Sequence, residues 1–192
     1  MNVFLSLVLL FTPVKVEQGH FTIFKDGKRM GTEEFSVTKR GSGYFVEGKT
    51  TIGTDVISSQ MELDEKLAVT SYQASSREGS IQVKVTPPVS EVKSTVNGET
   101  STADFRFPEG GVILDNNFFH HYLILLYRVQ AGQSSFSVFV PHDLRVGAAK
   151  VRTAGPRTYD LEVGEVKLQA TIDSDGSLTK LAVPAANVVI QR

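Results

Sequence analysis

The segment FFHHYLILLYRVQ, residues 118–130, is apolar on nearly every face and therefore constrains the architecture most strongly. It is too long and too dense in apolar residues for a half-exposed strand, and a helix of this kind must be buried. Asp115, Asn116 and Asn117 precede it with side-chain oxygens suited to an N-cap, and Gly132 is placed for a C-cap. We therefore predict one buried α-helix around residues 118–130.

On both sides of this segment, apolar and polar residues alternate with the period of two that is typical of half-buried strands. The stretch 81–86 (IQVKVT) is one example, and Asn97-Gly98 is a strong two-residue hairpin signal. Several long hairpins in succession predict a mainly β fold: a strongly curved antiparallel sheet, either a half-barrel or an open barrel. The concave side of this sheet is the apolar surface expected to receive the helix. Eight buried helix side chains would contribute about 1.5–3 kcal/mol each.

Composition narrows the class of protein. The chain has 192 residues, with 41% hydrophobic and 21% charged, which fits one ordinary domain with a core. Its 20 basic and 21 acidic residues form no long run of one sign, so we expect no nucleic-acid partner. The chain has no cysteine, which excludes disulfides, thiolate metal ligands and a lipidated N-terminal cysteine.

Residues 1–17 predict a secretory signal or another N-terminal hydrophobic segment, and residues 18–192 predict the single β domain. Val3 to Phe11 is an apolar run interrupted only by Ser6, and it is shorter than the ~18 residues of a membrane span. No Lys or Arg precedes the run, and no small-x-small cleavage motif follows it. The alternative is a first β-strand packed in the core. The signal interpretation predicts a periplasmic or secreted bacterial protein.

Two motif matches have simpler structural explanations. Residues 43–50 (GYFVEGKT) satisfy the phosphate-loop pattern G-x4-G-K-[ST]. The intervening Tyr-Phe-Val-Glu favours extended backbone, and β-branched residues follow instead of a helix, so we predict a strand. Residues 173–176 (DSDG) resemble the start of a calcium loop, but the glycine comes two positions early and no glutamate follows at the right distance. A hairpin turn is the better interpretation.

Three histidines leave a metal site open as a weak alternative. His120 and His121 are adjacent, so on a helix their side chains diverge by about 100°. His142, beside Asp143, would have to join one of them across the fold. The structural alternative is one buried, hydrogen-bonded histidine and one at the rim.

Three stretches resemble secreted bacterial proteins of unknown function related to the lipoprotein-carrier (LolA/LolB-like) superfamily. They are GHFTIFKDGKRMGTEEFSV (residues 19–37), VILDNNFFHHYLILLYR (residues 112–128) and ATIDSDGSLTKLAVPAANVVIQR (residues 170–192). The resemblance implies a half-barrel with a helix in its concave side, and carriers of this kind hold acyl chains between sheet and helix. Because the chain lacks the lipidated cysteine of LolB, the resemblance does not imply an outer-membrane lipoprotein.

The favoured function is therefore a non-enzymatic binding protein that holds a lipid or another apolar ligand between sheet and helix, without a cofactor or a stable membrane span. Helical spacing and neighbouring aromatic strands suggest the ligand-binding residues Phe105, Phe107, Phe119, Tyr122 and Leu126. One alternative is that these residues only pack against each other in a structural or accessory domain that binds a protein partner. The other is a metal-assisted hydrolase that uses His120 or His121 with His142.

Overall fold

The computed structural model describes residues 16–192, and the predicted secretory segment lies almost wholly outside the described residues. Its elements in chain order are β1 (Glu17–Lys25), β2 (Lys28–Arg40), β3 (Gly43–Ile52), β4 (Asp55–Leu63), β5 (Val69–Ser75), β6 (Gly79–Lys84), β7 (Ser90–Val96), β8 (Glu99–Phe105), β9 (Val112–Ile113), α1 (His121–Gln130), β10 (Ser135–Val140), β11 (Arg145–Gly155), β12 (Thr158–Val163), β13 (Val166–Ile172), β14 (Leu178–Val183) and β15 (Val188–Gln191). Short 3-10 turns occupy Pro141–Asp143 and Pro184–Ala186. Glu17, which the sequence placed in the N-terminal segment, is the first residue of β1.

Within residues 16–192, the strands form one open sheet in the order β8-β7-β6-β5-β4-β3-β2-β1-β15-β14-β13-β12-β11-β10-β9. The mainly β class with one helix is thereby confirmed. One pair departs from the predicted antiparallel arrangement, because β9 pairs with β10 in parallel. Helix α1 connects these two strands, and such a crossover returns the chain to run in the same direction.

The hairpins form where the sequence predicts them. Asp26-Gly27 joins β1 to β2 and Asn97-Gly98 joins β7 to β8, and all four residues have positive φ, between 50° and 84°. Asparagine, aspartate and glycine tolerate this conformation, which matches the twist of a two-residue hairpin. The phosphate-loop match lies inside β3 (Gly43–Ile52), so the strand interpretation is confirmed. Residues 173–176 turn between β13 and β14, also as predicted.

One face of the sheet supplies the core. A buried row crosses six adjacent strands, because cross-strand register places one inward residue of each strand beside the next. This row consists of Val37, Val46, Met61, Tyr72, Val83 and Val92. The opposite face carries the polar residues, as expected for an antiparallel sheet with one solvated side.

Helix α1 packs on the apolar face, and seven of its ten residues are buried. The predicted buried helix is confirmed, but it begins at His121, three residues later than expected. Its C-terminus follows the prediction: Gly132 has φ +97°, and the N–H groups of Gly132 and Gln133 donate to the carbonyls of Val129 and Arg128. This pair of bonds is the Schellman arrangement, which needs a residue that adopts positive φ without strain.

Candidate functional site

The start of α1 is held by a carboxyl group from the sheet. Glu33, on β2, is fully buried, and its Oε1 accepts a hydrogen bond of 2.7 Å from the N–H of His120. Its Oε2 accepts bonds of 2.9 Å from the N–H of Phe119 and 2.7 Å from Thr50 Oγ1. Helix N-termini leave N–H groups unpaired, and acidic groups are favourable there. Glu33 therefore anchors the residues that lead into α1, whereas the N-cap predicted from residues 115–117 is wrong, since the N-cap position is His120 and no side chain caps it.

A chain of hydrogen bonds continues from Glu33 through two histidine rings. His120 Nδ1 lies 3.1 Å from Glu33 Oε1 and His120 Nε2 lies 3.1 Å from Ser59 Oγ, so this ring bridges the carboxyl group and the hydroxyl group. His121 Nδ1 accepts the N–H of Asp115 at 3.1 Å, so its Nε2 carries a proton toward Ser59 Oγ at 3.4 Å. We use the name polar network for the following side chains: Glu33, Thr50, Ser59, Tyr72, Asp115, His120, His121 and His142.

Asp115 connects the polar network to the surface. Its Oδ2 accepts hydrogen bonds of 2.6 Å from the Tyr72 hydroxyl and 2.6 Å from His142 Nδ1. Its Oδ1 accepts a third, of 3.2 Å, from the His142 N–H. Asp115 and Tyr72 are buried, whereas the side chain of His142 is 47% exposed. The network therefore has one end inside the core and one end in solvent.

The protonation states follow from these environments. Burial, together with the nearby His120, lowers the pKa of His121 well below its usual range. Burial and then the Asp115 carboxyl raise the pKa of the Tyr72 hydroxyl well above its usual value. The hydrogen bond to Asp115 raises the pKa of His142, against a smaller opposing effect of burial. His121 is thus neutral near pH 7 and Tyr72 keeps its proton.

Gly48 makes room for this arrangement. It lies on β3 between Phe35 and Ser59 in the cross-strand register. A Cβ atom at this position would lie 2.2 Å from Cε1 and 2.4 Å from Nδ1 of His120. The imidazole of His120 therefore rests directly on the backbone of the sheet, and only glycine permits this approach.

Ser59, His120 and Glu33 are in the hydroxyl–imidazole–carboxyl order of hydrolytic triads. The relative exposures are 2% for Ser59 and 0% for the other two residues. No substrate can reach a hydroxyl buried to this degree, so in this conformation the three side chains fasten α1 to the sheet.

The three histidines of the metal hypothesis do not converge. The rings of His120 and His121 are 4.5 Å apart, and both direct Nε2 at Ser59. His142 lies on the other side of Asp115 and is bonded to it. Among residues 16–192, no three His, Asp or Glu side chains are grouped so that they could hold a metal ion. The structure brings two of these histidines together but gives the metal site no support.

The five ligand residues suggested by the sequence fall into two groups. Phe105 and Phe107 meet at Phe139 of β10: the Phe105 and Phe139 rings stack with centroids 3.9 Å apart, and Phe107 contacts Phe139 edge-on at 6.0 Å. We call this trio the aromatic seam. It joins strand β8, at one edge of the sheet, to β10, which lies next to the other edge.

The second group lies on and just before the helix. Leu126 is 1% exposed, while Phe119 and Tyr122 are partly buried against the core, and burial raises the pKa of Tyr122 to about 12. Clefts of about 250–880 Å³ lie on the described part of the chain, and the linings of five of them include none of the five suggested residues. Around Leu126, core side chains therefore fill the space between helix and sheet.

Two of these clefts include His142, and the larger one has a different character. It measures about 880 Å³, and its lining includes Asp55, Arg77, Asn116 and Asn117. Both signs of charge are present, and amide groups lie beside them. Apolar side chains, among them Ile57 and Phe118, also line this cleft, so its lining is mixed in character.

Sequence reasoning missed Glu33, Thr50 and Ser59, although a signal for them exists. Each occupies one of the alternate strand positions whose side chains point into the core. Glu33 is two residues before the buried Phe35, and Ser59 is two residues before the buried Met61. A carboxyl or hydroxyl group at an apolar position of the period-two pattern indicates a buried polar partner, because such groups are rarely buried alone. The partner itself cannot be deduced from that pattern.

Comparison with protein-family models, with curated proteins and with solved structures found no match for this chain. Within residues 16–192, no helix combines the length and the apolar character that crossing a bilayer requires.

Proposed function

We propose that this protein is an extracytoplasmic, non-enzymatic binding protein that holds a lipid or another apolar ligand between its sheet and helix α1. The observation that carries the proposal is the aromatic seam. At this place the two ends of the sheet meet through side chains and not through a hydrogen-bonded ladder.

The proposal includes a strongly curved, half-barrel sheet. Strand β8 lies at one edge of the sheet and β9 at the other, and residues 106–111 connect them directly. Seven peptide units reach about 25 Å at most. Fifteen strands in a flat sheet would place the edges about 67 Å apart, at about 4.8 Å per strand. The short connection and the stack of Phe105 on Phe139 both support a sheet that bends round α1.

The seam is a suitable place for an apolar ligand to enter. Opening it separates the Phe105, Phe107 and Phe139 rings but breaks no strand ladder, whereas opening any interior strand pair breaks several backbone hydrogen bonds. Aromatic and aliphatic side chains also suit an acyl chain better than the clefts on the outside, whose linings all include charged side chains. Because Leu126 fills the interior, the ligand would take the place of core side chains as the seam opens.

The polar network gives the helix a fixed end during such an opening. Glu33 holds the N–H groups of Phe119 and His120, and both histidine rings are bonded to Ser59 of the sheet. The proposed motion therefore takes place at the seam and at the C-terminal half of α1, while the N-terminal half stays in place.

Probe binding tests this function. Purified protein is analysed by native mass spectrometry and titrated with Nile red, a neutral apolar probe, and then with an unlabelled fatty acid as competitor. We expect saturable, competable binding that is weakened several-fold in Phe105→Ala and unchanged in Phe45→Ala, which truncates a partly exposed ring on β3 outside the seam. A clean apo mass without saturable probe binding would overturn the proposal.

A second candidate is an accessory domain that binds a protein. Strand β8 favours it, because residues 99–104 are all exposed and β8 has a ladder partner on one side only among residues 16–192. Such an edge can pair with an extended segment of another protein. Failure of probe binding, with protection of β8 amides in a complex, would favour this candidate over the binding protein.

A further inference from the structure

Arg128 is a buried cation in the last turns of α1. Its side chain is 8% exposed. Nε donates a hydrogen bond of 3.1 Å to Gln133 Oε1, and Nη2 donates one of 2.6 Å to the carbonyl of Gly110. Nη1 is buried and has no acceptor within residues 16–192.

An unpaired, buried guanidinium nitrogen is energetically unfavourable, since buried charged groups normally have both a counter-charge and hydrogen-bond partners. Burial lowers the pKa of Arg128, and the charge of Asp64 opposes this only in part. The Asp64 carboxyl accepts N–H bonds of 2.8 Å from Lys66 and Ala68 in its own turn, and it forms no ion pair with Arg128. Arg128 thus retains capacity for an anion.

The surroundings of Arg128 lead to the aromatic seam. The carbonyl that binds Nη2 belongs to Gly110, in the connection between β8 and β9. The neighbouring Gly111 lies against the ring of Phe107, because a Cβ there would be 3.0 Å from Phe107 Cζ. The guanidinium also lies 5.3 Å from the ring centre of Phe136 on β10. A cation with a free donor therefore lies near the aromatic seam, where the two ends of the sheet are in contact.

We propose that Arg128 binds the carboxylate of an acyl-chain ligand, so that the ligand is a fatty acid whose chain occupies the seam. This inference rests on the proposed binding function and adds the class of ligand to it. A carboxylate suits the site because its two oxygens accept parallel N–H bonds from the planar edge of a guanidinium. The same contact supplies the acceptor that Nη1 lacks.

The test compares two ligands that differ only in the headgroup. Decanoate and 1-decanol compete for Nile red on the wild-type protein, on Arg128→Gln and on Arg106→Gln. Arg106 is an exposed residue between Phe105 and Phe107, so its variant removes the same charge close to the seam. We expect decanoate to bind roughly tenfold or more tightly than decanol to the wild type. That preference should disappear in Arg128→Gln and persist in Arg106→Gln.

Equal affinity of the wild type for decanoate and decanol would overturn the role of Arg128 and leave the binding function intact. Equal loss in both variants would also overturn it, since general surface charge would then explain the preference. If neither ligand displaces the probe, both the binding function and this inference fail. The wild-type comparison needs no variant, so poor folding of Arg128→Gln does not prevent a decision.

Discussion

The ring of Phe105 on β8 stacks on the ring of Phe139 on β10, with centroids 3.9 Å apart and planes inclined by 22°. In the strand order these two residues are separated by almost the whole sheet. Pairs of packed aromatic rings contribute about 0.5–1.5 kcal/mol beyond their buried area. The ends of the sheet are thus joined by a contact that is weak compared with a strand ladder.

A double-mutant cycle measures that contact. For Phe105→Leu and Phe139→Leu we expect a coupling free energy of about 0.5–1.5 kcal/mol in denaturant unfolding. Phe21 and Phe35, which stack at 4.7 Å on the adjacent strands β1 and β2, provide a control cycle. Coupling in the control pair but none between Phe105 and Phe139 would show that the seam does not contribute to stability.

Removing the carboxylate that anchors the start of α1 should destabilise the protein. Glu33→Gln replaces one acceptor oxygen by an NH₂ group that faces N–H donors, so we expect a loss of roughly 2–4 kcal/mol in the free energy of unfolding. The matched control is Glu34→Gln, on the exposed face of the same strand, where a change within about 0.5 kcal/mol is expected. Similar effects of the two variants would contradict this anchoring role of Glu33.

A methyl group at Gly48 should displace His120. Because the added Cβ would lie 2.2 Å from the imidazole, we expect Gly48→Ala to cost about 1–3 kcal/mol and to shift the His120 ring resonances in NMR spectra. Gly147→Ala is the control, since a Cβ there meets nothing within 4 Å. A Gly48→Ala protein as stable as this control, with unchanged ring resonances, would exclude the close packing described above.

His121 should make the protein sensitive to acid. Its pKa in the folded state is lowered, so below about pH 6.5 the unfolded chain binds a proton that the folded chain does not. Stability should therefore fall as pH decreases from about 6.5, by up to about 1.4 kcal/mol per pH unit, until the lowered pKa is reached. His121→Gln should reduce this slope in urea unfolding at several pH values. His20→Gln, at an exposed site, should leave it unchanged.

In contrast to His121, His142 should lower the stability of the protein as the pH rises, and it should do so above about pH 6.5. The pKa of His142 is raised by Asp115, so its stabilising contribution is complete below about pH 6.5 and is lost as pH rises through the raised value. His142→Gln should flatten the stability profile on the alkaline side without changing the slope below pH 6.5. An unchanged alkaline slope would count against an Asp115–His142 ion pair in solution.

Local patterns predicted the local structure of this chain. The helix, the Asn97-Gly98 hairpin and the strand over residues 43–50 follow from periodicity and turn chemistry, which act over a few residues. The start of α1 was predicted three residues too early, because Phe119 and His120 bond to Glu33, 86 and 87 residues away in sequence. Long-range pairings of this kind are invisible to a periodicity argument.

In the candidate site, too, local features could be predicted from the sequence and long-range contacts could not. Phe105 and Phe107 were identified from alternation, but their partner Phe139 and the position of both at the junction of two sheet edges depend on the strand order. In the sequence, Arg128 is recognisable only as a cation near the end of a helix, where basic residues are common. Its unpaired nitrogen becomes evident only once the loop at Gly110 and the side chain of Gln133 are placed around it.

The pairing of β1 with β15 at the middle of the sheet has a consequence for how the molecule is made. Most other ladders join neighbours in sequence and can zip up as successive hairpins while the polypeptide emerges from the ribosome. The central ladder cannot form in this way, because Ile23 pairs with Ile190, which is synthesised much later. We therefore expect the sheet to fold in two halves, β1 to β8 and β9 to β15, which pair only after β15 has been synthesised. The long loop that must close between β1 and β15 should then limit the rate of folding.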